Sequence, residues 1–124
     1  MLHILIIFFN YFKYLFGFCD NMMVIIYITT SNEEEALKIG THIVKKRLAA
    51  CSNVIKDMKS VYWWEGNLEN DDEAILILKT IEEKVDEIIA KVKEIHSYDN
   101  PSIIALPIIK ASNSYLNWLK DEIK

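Results

Sequence analysis

The sequence predicts an α+β fold, with two helices lying against one face of an antiparallel sheet of four strands. Three observations predict it. Strand-like and helix-like stretches alternate in the order βαββαβ and end in a short amphipathic tail. The most β-prone stretch, Ser60 through Leu68 followed by residues 74–80, reads as one long antiparallel hairpin. Each helical stretch carries a single apolar stripe, as a helix covering one sheet face must.

Residues 1–20 are aromatic and apolar, interrupted by Asn10 and Lys13. They lack the charged start and the small-residue cleavage site of a signal peptide. Their length approaches the ~20 residues of a membrane span, yet Lys13 stands near the middle. Three readings stay open. The natural start lies at Met22 or Met23, or the stretch anchors the chain at a membrane, or it is an ordered part of the fold. The expected organisation is a hydrophobic extension over 1–21 and one folded domain over 22–124. A membrane is a partner only if the extension is a real anchor.

Residues 23–30, MVIIYITT, are β-branched and almost wholly apolar, which suits a strand buried on both faces. Ser31 or Asn32 then offers an N-cap, and Glu33, Glu34 and Glu35 complement the positive end of a helix. Ala36, Ile39, Gly40, Ile43, Val44 and Leu48 recur at helical spacing, and Lys45, Lys46 and Arg47 fall in the last turn. Consecutive helical residues do not face one another, so the three glutamates read as a solvated cap and not a metal cluster.

Residues 49–55 lead into the second strand, with Cys51 a small buried hydrophobe lacking a neighbouring histidine to favour its thiolate. A bulge is expected near 56–59. Trp63 and Trp64 are adjacent on one strand and must point to opposite faces. Gly66, Asn67, Asn70, Asp71 and Asp72 place the hairpin tip somewhere in 65–72.

A second helix is expected over 81–95, with Val85, Ile88, Ile89, Val92 and Ile95 on its apolar stripe. Pro101 disfavours helical backbone at Asn100 and ends it. Residues 103–109 form a fourth strand, and Pro107 within it argues for an edge or a bulge. Residues 112–124 close the chain as a short helix capped by Ser112 or Asn113. This element order is that of the ferredoxin-like arrangement. It covers one sheet face with helices and leaves the other open as a docking surface.

The formal charge of −4 and the lack of a basic block argue against a nucleic-acid partner. Cys19 and Cys51 have no paired spacing, which suits a reducing compartment. His3, His42 and His96 come without a nucleophile, a paired acid or a metal triad, so no enzyme is expected. The one pair that could be more than a salt bridge is Lys79 beside Glu65 across the hairpin.

Five short runs in order carry a resemblance: Arg47-Leu48-Ala49-Ala50-Cys51-Ser52-Asn53, Tyr62-Trp63-Trp64-Glu65-Gly66, Lys79-Thr80, His96-Ser97-Tyr98-Asp99-Asn100-Pro101 and Tyr115-Leu116-Asn117-Trp118-Leu119. With this order and spacing, residues 23–123 resemble the CutA family of divalent-ion-tolerance proteins. The resemblance implies a ferredoxin-like subunit in a compact homotrimer whose long hairpins pair across subunits. It also implies a soluble, cytoplasmic protein linked to tolerance of copper and other divalent metals. Family members with a copper site use a cysteine at the end of the first strand and a histidine pair at the end of the second helix. Here those positions hold Ile28 and Ile95-His96, followed by Ser97 and Asp99 where the family has a proline and an acidic or amide residue.

The candidate metal ligands are therefore the His96 imidazole and the Asp99 carboxylate, a set acceptable to copper(II) or another divalent cation. Two ligands make a tight site only if a symmetry mate or water completes it. His96 also reads as a helix C-cap. No organic cofactor is expected. From a different class comes a trimeric regulator like the PII signal proteins, which hold small molecules in clefts between subunits. Tyr62, Trp64, Glu65 and Lys79 are candidates to line such a cleft, and Tyr62, Trp63 and Trp64 to form the interface core.

Overall fold

The computed structural model describes residues 22–124, so the readings of residues 1–21 lie outside it. The chain runs β1 (Met23–Thr30), α1 (Glu33–Lys45), β2 (Cys51–Trp64), β3 (Asn67–Ile81), α2 (Val85–Ile95), β4 (Ile103–Pro107) and α3 (Asn113–Glu122). The strands form one sheet in the order β2-β3-β1-β4, and every neighbouring pair is antiparallel.

The helices sit where the residue pattern demands. Asn32 is the N-cap of α1, and its Oδ1 accepts the Glu35 N–H at 2.8 Å. Ala36, Ile39 and Ile43 of α1 and Ile88 and Val92 of α2 pack on Val24, Ile26, Ile28, Leu76 and Leu78 of the central strands. Each large side chain buried there contributes about 1.5–3 kcal/mol. The polar residues of this layer are satisfied: Thr80 Oγ1 donates to the Leu48 carbonyl at 2.6 Å and Thr30 Oγ1 to that of Ala74 at 3.1 Å. A smaller cluster of Met23, Ile81, Leu119 and Ile123 seats α3 at one end of the sheet.

β1 alternates buried with half-buried positions, so among the described residues only its helix-facing side is closed. The expectation of burial on both faces is corrected to that extent. Ile25, Tyr27, Ile75 and Ile77 stay half-buried on the other face, and Ile104 and Leu106 are exposed.

The hairpin turn is tighter than expected. Trp64 pairs with Asn67, leaving only Glu65 and Gly66 at the tip, with φ of +48° and +80°. Positive φ at both central residues defines the type I′ turn that matches strand twist. Asn70, Asp71 and Asp72 therefore belong to β3, opposite Val61, Ser60 and Lys59. Cross-strand partners hold them there: Lys59 pairs with Asp72, and the Tyr62 hydroxyl donates to Asp71. The bulge lies where it was expected. Ile55 faces Ile75 and Met58 faces Glu73, so Lys56 and Asp57 together oppose Ala74, with Asp57 at φ 63°.

β1 ends opposite Ala74. Beyond that point β2 and β3 pair only with each other, from Met58 opposite Glu73 to Trp64 opposite Asn67. This two-stranded arm projects ~20 Å past the rest of the sheet. At its other end β3 continues to Ile81, so α2 starts at Val85 after a single 3-10 turn at Glu82–Lys84, not at residue 81. β4 is an edge strand and ends at Pro107, two residues short of 103–109, and the Ile108 N–H still donates to the Met23 carbonyl at 3.0 Å just beyond it. Ser112 takes the N-cap position of α3 but makes no side-chain cap bond.

Candidate functional site

His96 follows the last residue of α2 and turns inward. Its Nε2 donates to the Thr29 carbonyl at 2.8 Å, and its Nδ1 accepts the Tyr98 N–H at 3.0 Å. The tautomer with hydrogen on Nε2 satisfies both bonds. The side chain is 0% exposed. Glu35 stands beside it, its Oε1 4.0 Å from Nδ1. That carboxylate also accepts from Ser31 N and Oγ at 2.9 and 3.0 Å and from Ser97 N at 2.9 Å. His96 thus fastens the loop after α2 to the end of β1, and its one ring lone pair is already engaged.

Asp99 is exposed and lines a groove that His96 does not reach. The two candidate ligands consequently do not share a cavity. Ile28, standing where the resemblance places a cysteine, is wholly buried in the core. Among the described residues no group of three or more His, Cys, Asp or Glu gathers as a metal ion requires. The described residues of one chain do not by themselves build a tight metal centre.

The groove lies between the projecting arm and the loop joining α2 to β4, with a volume of about 810 Å³. Tyr62 and Trp64 line it together, since residues two apart share a strand face. Tyr98 and Asp99 line it from the loop, Glu73 from β3 and Lys59 from β2. The Tyr98 hydroxyl donates to Glu73 Oε2 at 2.6 Å. Burial, joined by that hydrogen bond, holds the Tyr98 phenol well above its ordinary value. The hydrogen bond to Asp71 pushes the Tyr62 phenol to about 12.

Glu65 and Lys79 are not brought together. Glu65 is at the hairpin tip, whereas Lys79 lies opposite Cys51 at the far end of β2, ~40 Å along the strand. Neither lines the groove. Lys79 Nζ sits 5.8 Å from the Tyr115 ring centroid. Trp63 and Trp64 do point to opposite faces, but neither is fully covered by the described residues, at 73% and 44% exposed. Cys51 is half-buried and free, its thiol near Asn53 Oδ1 at 3.7 Å. Glu73 and Tyr98 are the site residues that sequence reasoning missed. A glutamate ending an acidic run reads as solvated, and only its partner 25 positions later makes it otherwise.

The described chain is a mixed α+β domain with one antiparallel sheet, three helices and a projecting arm. No helix among the described residues is long and apolar enough to cross a membrane. The family model described as CutA1 divalent ion tolerance protein matches residues 24–122, and the chain belongs to this family. It is 41% identical over 101 residues to Protein CutA 1, chloroplastic, of Oryza sativa subsp. japonica, covering 82% of this chain and 57% of that protein. The chain thus spans a little over half the length of that plant relative. It is 39% identical over 101 residues to the divalent-cation tolerance protein CutA of Thermotoga maritima, covering 82% of this chain and 99% of that one. Among solved structures, the periplasmic divalent cation tolerance protein CutA from Archaeoglobus fulgidus superposes with a TM-score of 0.81 at 40% identity, covering 83% of this chain and 100% of that one. The family resemblance carried by the five short runs is therefore established. The family is named for divalent-cation tolerance and not for a catalytic activity.

Proposed function

We propose that the chain is the subunit of a homotrimeric, ferredoxin-like divalent-cation tolerance protein that acts in the cytoplasm in response to copper(II) or another divalent ion. The observation that carries this reading is the arm, where Val61, Trp63 and Leu68 are 64%, 73% and 55% exposed. A two-stranded ribbon is marginal alone in water, and an apolar one needs cover. Other copies of the same chain are the occupant that family membership favours. The half-covered sheet face, with Ile104 and Leu106 exposed beside it, offers a second apolar surface to the same partner. The strand order β2-β3-β1-β4 supports the ferredoxin-like description.

On this reading a divalent cation is held weakly. Asp99 offers an exposed carboxylate, and Nδ1 of His96, buried outside that groove, offers a nitrogen once the loop after α2 rearranges and releases the Tyr98 N–H. Losing that bond opposes binding by about 1 kcal/mol. Water or a second subunit completes the set. No organic cofactor takes part. Calorimetric titration with Cu(II) and Zn(II), beside His96→Ala and Asp99→Asn, tests the assignment. Weak binding that both variants lose supports it; an unchanged titration in both removes these residues from the metal's path.

A second reading has its own observation. Tyr62 and Trp64 line a groove large enough for a metabolite, which favours a trimeric small-molecule regulator of the PII kind.

A further inference from the structure

We infer that the groove binds a small organic cation, an ammonium or guanidinium compound, with the Glu73 carboxylate as its anchor and the rings of Tyr62, Trp64 and Tyr98 as its walls. The inference deepens the small-molecule reading and rests on the groove of one chain, independently of any metal. Glu73 is only 7% exposed, and the hydrogen bond it accepts is the one from Tyr98. A carboxylate has room for about four such bonds. Burying a carboxylate without a cationic partner is costly. Yet none of the ion pairs among the described residues involves Glu73. Lys59, the cation on the groove wall, is committed to Asp72.

The rest of the lining selects the missing partner. Asp99 adds a second carboxylate, so an anion would be repelled. A neutral apolar molecule would leave Glu73 unpaired. Aromatic faces attract ammonium and guanidinium groups within about 6 Å of their centroids, and three aromatic residues line this cavity. Its volume of about 810 Å³ falls within the range of small-molecule sites and far exceeds what one metal ion fills.

The test is calorimetric titration of the full-length protein with spermidine, with the arginine derivative agmatine and, as an anion, with ATP, at physiological salt. Saturable binding of spermidine or agmatine is expected. Glu73→Gln should weaken it by about tenfold or more, and Trp64→Leu by several-fold, as loss of a charge partner and of a cation–π wall imply. Glu83→Gln removes the same charge from an exposed site elsewhere and should change nothing. Trp64 is exposed, so its variant keeps the test valid if Glu73→Gln fails to fold. Cation binding that is equal in Glu73→Gln, or in Trp64→Leu when that is the only folded variant, overturns the inference. Binding of ATP without either cation overturns it while leaving a small-molecule regulator standing. Silence with all three ligands overturns both.

Discussion

The Tyr98 hydroxyl donates to Glu73 Oε2 across 2.6 Å, tying the loop after α2 to the base of the projecting arm. Tyr98→Phe leaves a buried carboxylate without its donor. A loss of about 1–3 kcal/mol is expected, read as a lower urea midpoint at unchanged slope. The phenol's raised pKa fixes the sign of its pH dependence. This contribution is fully present below the ordinary tyrosine value and fades as pH rises through the raised one.

On the arm, Tyr62 is held to about 12 by its hydrogen bond to Asp71, with burial adding to the effect. Asp71→Asn should return its ionisation toward the ordinary value of about 10. Ultraviolet phenolate titration, compared with Tyr62→Phe to identify the band, reads this directly.

Glu35 governs the acid side. Burial pushes its carboxyl up, but the hydrogen bonds from Ser31 and Ser97 together outweigh burial and hold it below its ordinary value. A carboxyl depressed in the folded state stabilises above its unfolded pKa and loses that contribution as pH falls through the folded one. Stability should therefore decline below about pH 4.5. Glu35→Gln should flatten part of that decline while lowering the melting temperature at neutral pH, as thermal scans across pH would show.

Two glycines separate packing from backbone strain. A Cβ at Gly40 would stand 2.9 Å from Leu76 Cδ1 and Ser52 Oγ and 3.0 Å from Ser52 Cβ. Gly40→Ala is thus expected to cost about 1–3 kcal/mol through overpacking, partly offset by better helix propensity. Gly66 has open space around it but φ of +80°. Gly66→Ala should cost about 1 kcal/mol through the turn alone. Chemical denaturation of both variants checks the ranking.

What the sequence disclosed and withheld follows from the range of each interaction. The α1 cap at Asn32 was legible because a cap acts over three residues. Pro107 announced the edge strand because a missing N–H has the same consequence in any sheet. The tip was bracketed but not placed. Asn70, Asp71 and Asp72 are turn formers by type, and only their partners Val61, Ser60 and Lys59 make them strand. Lys79 was set beside Glu65 because both belong to the hairpin, yet register carries Lys79 to Cys51. His96 was legible as important and ambiguous as to role; its bonds to Thr29 and Tyr98 depend on how the loop folds back. The groove was half legible. Tyr62 and Trp64 stood out, but Glu73 and Tyr98 meet only through tertiary structure.

Trp63 is 73% exposed on an arm that no other part of the described chain supports. Trp63→Ala should therefore leave subunit secondary structure intact and loosen assembly. A large aromatic covered by a neighbour contributes about 4–6 kcal/mol before entropy is counted. Light scattering coupled to size exclusion, on residues 22–124 at micromolar concentration, tests the homotrimer most directly. A mass of three subunits that falls toward one in Trp63→Ala is the expected result. A wild-type mass of one subunit would contradict it.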